Sequence, residues 1–267
     1  MSDNGKVAIS VSGITLHYGS FKALDGVEFE GGRGQLIGLI GPNGCGKSTL
    51  LRCINGALRP RKGAIMIDGE DVSVKRLAEL ARICSNVPTE FPTDFNLTVM
   101  EMVMMGRYPY VTGLWWEGKE DEEKVKDALS KFGVEHLKDR KTSELSSGER
   151  QRTLIAKAYV QEPKVMLVDE PTSHLDMRYK LEVMEYLRGL AEKDMTIIVA
   201  SHDINLMAKY CDRMIIVKEG RIVSIGRPEE VITAQLIRDV YKVNAIVGLD
   251  EDGDVYAIPK SSIKALG

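Results

Sequence analysis

Residues 41–48 read Gly41-Pro42-Asn43-Gly44-Cys45-Gly46-Lys47-Ser48, the complete G-x-x-x-x-G-K-[ST] pattern. Residues of these types at this spacing are suited to holding phosphate. Glycines let the backbone curl until several N–H groups face one anion, and a helix beginning here would aim its positive end at the same point. Lys47 adds a mobile full charge for the β- and γ-phosphates, and the Ser48 hydroxyl is a fitting oxygen ligand for Mg²⁺. Thr49 can donate a further hydrogen bond to phosphate, while Cys45 fills a free position of the pattern and needs no redox role.

Two carboxylates and an imidazole extend this chemistry. Asp169 and Glu170 follow the apolar run at residues 165–168, and Pro171 follows them. The C-terminal edge of an open α/β sheet is where ligands bind. There, Asp169 is suited to orienting Mg²⁺ through water, and Glu170 to polarising an attacking water. A second apolar run, Ile197-Ile198-Val199-Ala200, ends in Ser201-His202-Asp203, so His202 falls on the same edge and is expected to contact the γ-phosphate. His17, His136 and His174 are read as ordinary structural or surface residues. Asp250, Asp252 and Asp254 suggest a calcium loop, but Ser261 stands where the closing Glu should be, so a solvated turn is the better reading.

The elements that must position these groups follow from periodicity. Val7, Ile9 and Val11, then Ile14 and Leu16, alternate as strands do, and residues 27–29 read as another strand. Residues 35–40 form a short apolar run, typical of a strand buried on both faces. After the glycine loop, Leu50, Leu51, Ile54, Ala57 and Leu58 recur at helical spacing, with Pro60 just beyond. A strand at 64–67 ends in the turn pair Asp68-Gly69. Helical periodicity dominates from about residue 90 to 162, and strand character returns at 165–168, 196–200 and 214–217. This order predicts an α/β fold: a P-loop core with a mostly parallel sheet, an N-terminal antiparallel β subdomain and an inserted helical subdomain. The expected organisation is one domain over 1–245, with core segments 1–88 and 163–245, an insert at about 89–162, and a short C-terminal hairpin or tail at 246–267.

Composition excludes several classes. The chain has 267 residues, with 36 Lys plus Arg against 39 Asp plus Glu, so a net charge of −3 argues against a wholly basic nucleic-acid binder. No two of Cys45, Cys53, Cys84 and Cys211 stand at C-x-x-C spacing, so no zinc site is indicated and free thiols in a reducing compartment are expected. The N-terminus shows no secretion signal, and the apolar runs are far shorter than the ~20 residues of a membrane span. Any membrane role is therefore expected to come through a partner.

A third motif decides the resemblance. Leu145-Ser146-Ser147-Gly148-Glu149-Arg150-Gln151 looks like the L-S-G-G-Q signature of the ATP-binding subunits of ABC transporters, and together the motifs resemble that family over nearly the whole chain. The resemblance implies an ATPase that uses ATP and Mg²⁺. Its Ser146, Ser147, Gly148 and Glu149 would cap the ATP held by a second copy, in a head-to-tail homodimer. The same resemblance assigns Tyr18 to adenine stacking and Asp176, in Ser173-His174-Leu175-Asp176, to the loop that crosses the dimer interface. It implies polytopic permease subunits as partners, indirectly a substrate-binding protein, no nucleic acid, and a peripheral place on the cytoplasmic face of the membrane.

Ser147 and Glu149 are mild departures from the signature. Thr89 is a larger one: in Val87-Pro88-Thr89-Glu90 it stands where the family has a Mg²⁺-contacting glutamine. Three alternatives stay open there: water fills the gap, Glu90 turns in, or the Thr89 contact to the metal is weaker. Gly106-Arg107-Tyr108-Pro109, Asp203-Ile204-Asn205 and Val240-Tyr241-Lys242-Val243 resemble the subgroup that serves importers of chelated iron, haem and cobalamin, a style shared with molybdate-type oxyanion importers. The cluster Met100, Met102, Met104 and Met105 fits either a partner-docking surface or the core of the helical subdomain, and Trp115 and Trp116 invite the same two readings. The rivals are non-transport relatives. Chromosome-organising ATPases carry long heptad arms, which this chain lacks. Ribosome-associated ones carry two ATPase units where this chain has one. An iron–sulfur assembly ATPase remains as the alternative.

Overall fold

The computed structural model describes residues 7–89, 97–111 and 118–263. The chain opens with two long antiparallel strands, β1 (Val7–Tyr18) and β2 (Phe21–Gly32). Two short strands were expected where β1 runs unbroken. The pairing slips between Val11 and Ile14, and Gly13 sits there with φ +63°, so a bulge bends the strand without ending it. The five-residue apolar run forms β3 (Leu36–Ile40), buried along its whole length. After the glycine loop comes α1 (Lys47–Ile54). This helix stops short of the expected Ala57 and Leu58: Gly56 takes φ +73° and the Asn55 side chain accepts the Ala57 N–H at 3.0 Å, a local alternative to another helical turn. β4 (Lys62–Ile67) and β5 (Glu70–Asp71) complete a four-stranded sheet in the order β2-β1-β4-β5.

Next come α2 (Leu77–Ile83) and β6 (Cys84–Val87), and then helices α3 (Val99–Met104), α4 (Lys119–Lys131) and α5 (Ser147–Tyr159). Phe132, at the end of α4, packs edge-on against Tyr159 at 5.5 Å and Tyr186 at 5.3 Å. That aromatic cluster ties the helices to α6 (Met177–Ala191), which follows β7 (Val165–Asp169). Met102 and Met104 are buried in the core, Met100 is half-buried and Met105 is exposed, so the methionine cluster is mostly packing. Trp115, Trp116 and Glu90 lie outside the described residues.

The chain continues through β8 (Thr196–Ser201), α7 (Ile204–Tyr210), β9 (Arg213–Lys218), β10 (Arg221–Gly226), α8 (Pro228–Val231) and α9 (Ala234–Tyr241). It ends in the hairpin β11 (Val243–Leu249) and β12 (Val255–Ser262). The central sheet has the order β10-β9-β3-β8-β7-β6, parallel except for β10 at one edge. Strand alternation divides β3 between two cores: Leu36 and Ile40 join one cluster with the helices, Ile37 and Leu39 the other with α1 and the antiparallel sheet. The C-terminal ends of β3, β7 and β8 are thereby held side by side, which places the glycine loop, Asp169-Glu170 and His202 along one edge. The Asp250–Asp254 stretch is the hairpin turn, its Asp250 carboxylate accepting the N–H groups of Asp252 at 3.0 Å and Asp254 at 2.8 Å. All four cysteines are free and buried.

Candidate functional site

The glycine loop is built by backbone demands. Gly44 and Gly46 have φ +77° and +111°, outside the range of ordinary side chains. A Cβ on Gly41 would collide with the Val217 carbonyl, so the loop lies directly on β9. Lys47 is buried to 6% exposure and reaches back over the loop: its Nζ donates to the Gly41 carbonyl at 2.8 Å and stands 3.8 Å from Glu170 Oε1. The ammonium thus finds its hydrogen-bond acceptor on the loop itself.

Glu170 directly follows β7 with φ +49°, a conformation uncommon for a non-glycine residue, and its N–H donates to Ala200 O on β8 at 2.9 Å. Its Oε2 lies 2.7 Å from His202 Nδ1. A carboxylate only accepts, so the proton of that bond sits on Nδ1. Asp169, one residue earlier, is mostly buried. Burial pushes its carboxyl above the usual range and the Glu170 charge adds to this, while a hydrogen bond from Ser48 pulls the other way. Asp169 Oδ1 is buried with no partner at all. A hydroxyl beside an unpartnered buried carboxylate oxygen is a hard-oxygen donor set, and it fits Mg²⁺. Thr89 Oγ1 donates to the Asp169 carbonyl at 3.1 Å, so its proton is engaged and its lone pairs stay available.

Lys47, Ser48 and Glu170 line a cleft of about 350 Å³ with Asn43, Gly44, Gly46, Thr49, Tyr18, Phe21 and Ala23, while Gly41, Thr89, Asp169 and His202 are outside its lining. Tyr18 is 46% exposed and Phe21 63%, and the two are cross-strand partners across the Gly19-Ser20 turn. Two aromatic rings flanking a phosphate cradle form a platform for a flat base. The sequence reading named only Tyr18; the signal for Phe21 was the two-residue turn that pairs it with Tyr18. Pro42 and Cys45 belong to the loop without lining the cleft, and burial raises the Cys45 thiol above its ordinary value.

The remaining candidates stand apart. Ser146, Ser147, Gly148 and Glu149 do not line this cleft. Ser146 caps α5: its N–H donates to Glu149 Oε2 at 2.7 Å and its hydroxyl to the same oxygen at 2.8 Å. The Ser146 backbone N–H, above all, holds the Glu149 carboxyl below its usual range. Gly148 is covered by the Tyr179 ring, which a Cβ would meet at 3.0 Å. Asp176 is exposed and caps α6, accepting from Tyr179 N–H at 3.1 Å. Asp176 too is absent from the cleft lining.

Comparison with known proteins gives the family. Residues 24–173 match the family model described as ABC transporter. A protein of Bacillus subtilis (strain 168), named "Probable siderophore transport system ATP-binding protein YusV", is 39% identical over 92% of this chain and 90% of its own. Among solved structures, one of an ABC transporter assigned to the metal-chelate type, in an inward-facing conformation, superposes with a TM-score of 0.84 at 26% identity, covering 96% of this chain and 98% of the other. The dimeric structure of MJ0796, a bacterial ABC transporter cassette, gives a TM-score of 0.74 at 28% identity over 82% of this chain and 98% of the other.

Proposed function

The chain belongs to the ABC transporter family as an ATP-binding, ATP-hydrolysing subunit, and from that premise we propose that it drives import of a metal chelate through a site completed by a second copy of itself. The observation that carries this reading is the division of the motifs. Lys47, Ser48 and Glu170 line one aromatic-walled cleft and His202 bonds to Glu170, while Ser146 and Gly148 belong to a helix start outside it. A head-to-tail pairing would bring the second group over the first group of the other chain.

The chain's own residues divide the work. Tyr18 and Phe21 hold the adenine, and the glycine-loop N–H groups with Lys47 hold the phosphates, releasing Lys47 from its contacts with Gly41 and Glu170. Glu170 accepts a hydrogen bond from the attacking water and so orients it, and His202 both fixes Glu170 through Nδ1 and faces the γ-phosphate. Ser48 and Asp169, with Thr89 as a third oxygen, would hold Mg²⁺, which neutralises phosphate charge when bound. Water attacks the γ-phosphorus, the bond to the β-bridging oxygen breaks, and ADP departs with that electron pair. Positioning and charge neutralisation supply the rate, without a covalent intermediate.

The transported compound is read as a chelate of the iron-siderophore, haem or cobalamin kind, supported by the siderophore relative and the metal-chelate type transporter structure. No helix among the described residues is long and apolar enough to cross a membrane. The subunit would act at the cytoplasmic face, docked on polytopic permease subunits that receive cargo from a substrate-binding protein. Reconstitution with a metal-chelate permease and its substrate-binding protein tests this. Ferric chelate should stimulate ATP hydrolysis and molybdate should not; the reverse pattern would place the chain with oxyanion importers. ATP-driven dimerisation of the Glu170→Gln chain, followed by sedimentation, tests the two-chain site, and a monomer at saturating ATP would remove it.

A further inference from the structure

The C-terminal hairpin has no part in the mechanism above, yet it is fixed to elements that lead into the site. Asp203 caps α7, the helix that begins just past His202. Its carboxylate stands 3.5 Å from Lys180 Nζ in the first turn of α6, and the Lys180 N–H donates to the Asp176 carbonyl at 3.0 Å. Asn205, in the first turn of α7, bonds both backbone groups of a single residue of β12: Nδ2 donates to the Ala257 carbonyl at 3.1 Å, and the Ala257 N–H donates to Oδ1 at 2.8 Å. Asp176, α6, α7 and the hairpin are thus linked by direct contacts. The hairpin stands next to the loop that the two-chain reading gives to the interface between copies.

β11 and β12 form a two-stranded sheet by themselves. One face packs on the core through Val255 and Ala257, with Ala245 and Val247 beside them. An antiparallel sheet covered on one side normally turns polar residues outward. Here the outward positions hold Ile246 and Ile258, paired directly and 50% and 46% exposed. Beside them Tyr256 lies across its partner Gly248, where a Cβ would meet the phenol oxygen at 2.7 Å. An exposed apolar pair in the middle of a sheet face suits another protein surface, and the flanking charges say which. The tip carries Asp250, Glu251, Asp252 and Asp254, the root Lys242 and Lys260, and among the described residues none of the six is in an ion pair. Ile246 stands four residues from Lys242 and four from Asp250. A twofold axis across the strands at the Ile246–Ile258 pair turns the hairpin end for end, so that isoleucine meets isoleucine and each acidic tip faces a basic root. An axis along the strands would set tip against tip, which like charge opposes.

We propose that the outer face of the β11–β12 hairpin binds the same face of a second copy of this chain, antiparallel and centred on Ile246 and Ile258, about the dyad that also relates the two ATP sites. The inference rests on the two-chain reading above for that dyad. A face two strands wide and about 23 Å long offers roughly 220 Å², well under the ~800 Å² per partner of a standard interface. The contact is therefore a tether and not a stable dimer by itself. Chains joined at their hairpins keep each Ser146 turn near the opposite cleft after ADP leaves, at an effective concentration on the order of millimolar.

The test uses the full chain. Its four native cysteines are buried, so Ile258→Cys adds one exposed thiol at the dyad. Under mild oxidant without nucleotide, it should form a covalent dimer about tenfold faster than Val223→Cys, a similarly exposed site on β10 that reports random collision. In the Glu170→Gln background with Mg²⁺ and ATP, Ile258→Asp should weaken pairing about tenfold by sedimentation, the scale of one apolar side chain kept out of water. Monomer ATP affinity and melting temperature should stay at the parent values. Asp252→Lys and Lys260→Glu should each weaken pairing, and the two together in one chain should restore it. Cross-linking no faster than that of Val223→Cys, or pairing of Ile258→Asp at the parent constant, overturns the proposal while the Glu170→Gln dimer stands. Loss of chelate-stimulated turnover in the reconstituted complex with pairing unchanged would give the face to a permease subunit and overturn it as well. A Glu170→Gln chain that stays monomeric at saturating ATP would remove the two-chain site, and the shared dyad with it.

Discussion

The glycine loop and the turn at Ser146 both place the start of a helix where phosphate could bind, yet they are finished differently. The loop leaves its helix without a side-chain cap, wraps Lys47 over its own carbonyls and opens into a cleft with aromatic walls. The Ser146 turn closes on itself: Ser146 and Glu149 exchange hydrogen bonds in a capping box, and the two serines stay exposed. The contrast separates a site that waits for its ligand from a surface that must be stable without one. Half of the proposed pocket is prepared within the chain. In the proposed dimer, the other half is a self-sufficient surface that would meet its ligand when a second chain arrives.

The strongest way to break this comparison is at Lys47. Lys47→Ala removes the buried ammonium and, with it, the proposed contacts to two phosphates. Hydrogen bonds to charged groups are worth about 1.5–3 kcal/mol each, so ATP affinity should drop by roughly 10²- to 10⁴-fold at 1.4 kcal/mol per decade. Equilibrium binding of a fluorescent ATP analogue, with unlabelled ATP as competitor, measures it. An unchanged dissociation constant would show that the loop is not the phosphate site.

Glu170→Gln sharpens the same half. The amide keeps the shape and loses the charge that orients water, so turnover should fall about 10²- to 10⁴-fold while ATP still binds. Phosphate release under saturating ATP is the measurement. A loss of binding equal to the loss of turnover would make Glu170 part of the cradle instead of the chemistry.

Ser146→Ala probes the other half. It deletes the α5 cap, which costs about 1 kcal/mol of stability. ATP affinity measured at concentrations where the chain is monomeric should stay at the parent value, while ATP-driven pairing and turnover fall by roughly tenfold. Weaker ATP binding by the monomer would put the turn over its own cleft and erase the division between the two regions.

How much of this was legible before the structure depended on how local the cause was. The runs that became β3, β7 and β8 are apolar throughout because both faces of the strand are covered, so composition alone marked them. The glycine loop was legible because its demands are backbone demands. β6 was missed: Ser85 and Asn86 interrupt the apolar run, although Ser85 is 1% exposed. The end of α1 was misplaced because apolar spacing continues to Leu58, while Asn55-Gly56 offers the chain a better stop. The Asn205 clamp on Ala257 had no local pattern to betray it, since one partner is a backbone and the two are distant in sequence. Whether Ser146 shares a cleft with Lys47 was likewise a tertiary fact, beyond the reach of spacing.

The smallest expected effect serves as the control for both regions. Asp68 joins the antiparallel sheet to the start of β7, accepting from Arg33 and Lys164. The hydrogen bond from Lys164, first among several causes, holds its carboxyl below the ordinary range. Asp68 has φ +52°, a conformation that Asn tolerates as well as Asp, so Asp68→Asn removes the charge and leaves the turn alone. Both cations are about half exposed, at 52% and 51%, and screening limits the pair to about 0.5–1 kcal/mol. Because the folded-state value is depressed, this stabilisation is present above the unfolded carboxyl's pKa of about 3.9 and fades as pH falls through the lower folded-state value. Denaturant midpoints at pH 7 should therefore separate parent from variant, and the gap should close on acidification. ATP affinity and turnover should match the parent at neutral pH, because Asp68 lies outside the cleft and outside the Ser146 turn. A turnover change in this variant would show that the antiparallel sheet transmits strain to the catalytic edge, and the contrast between the two regions would then have to include a third.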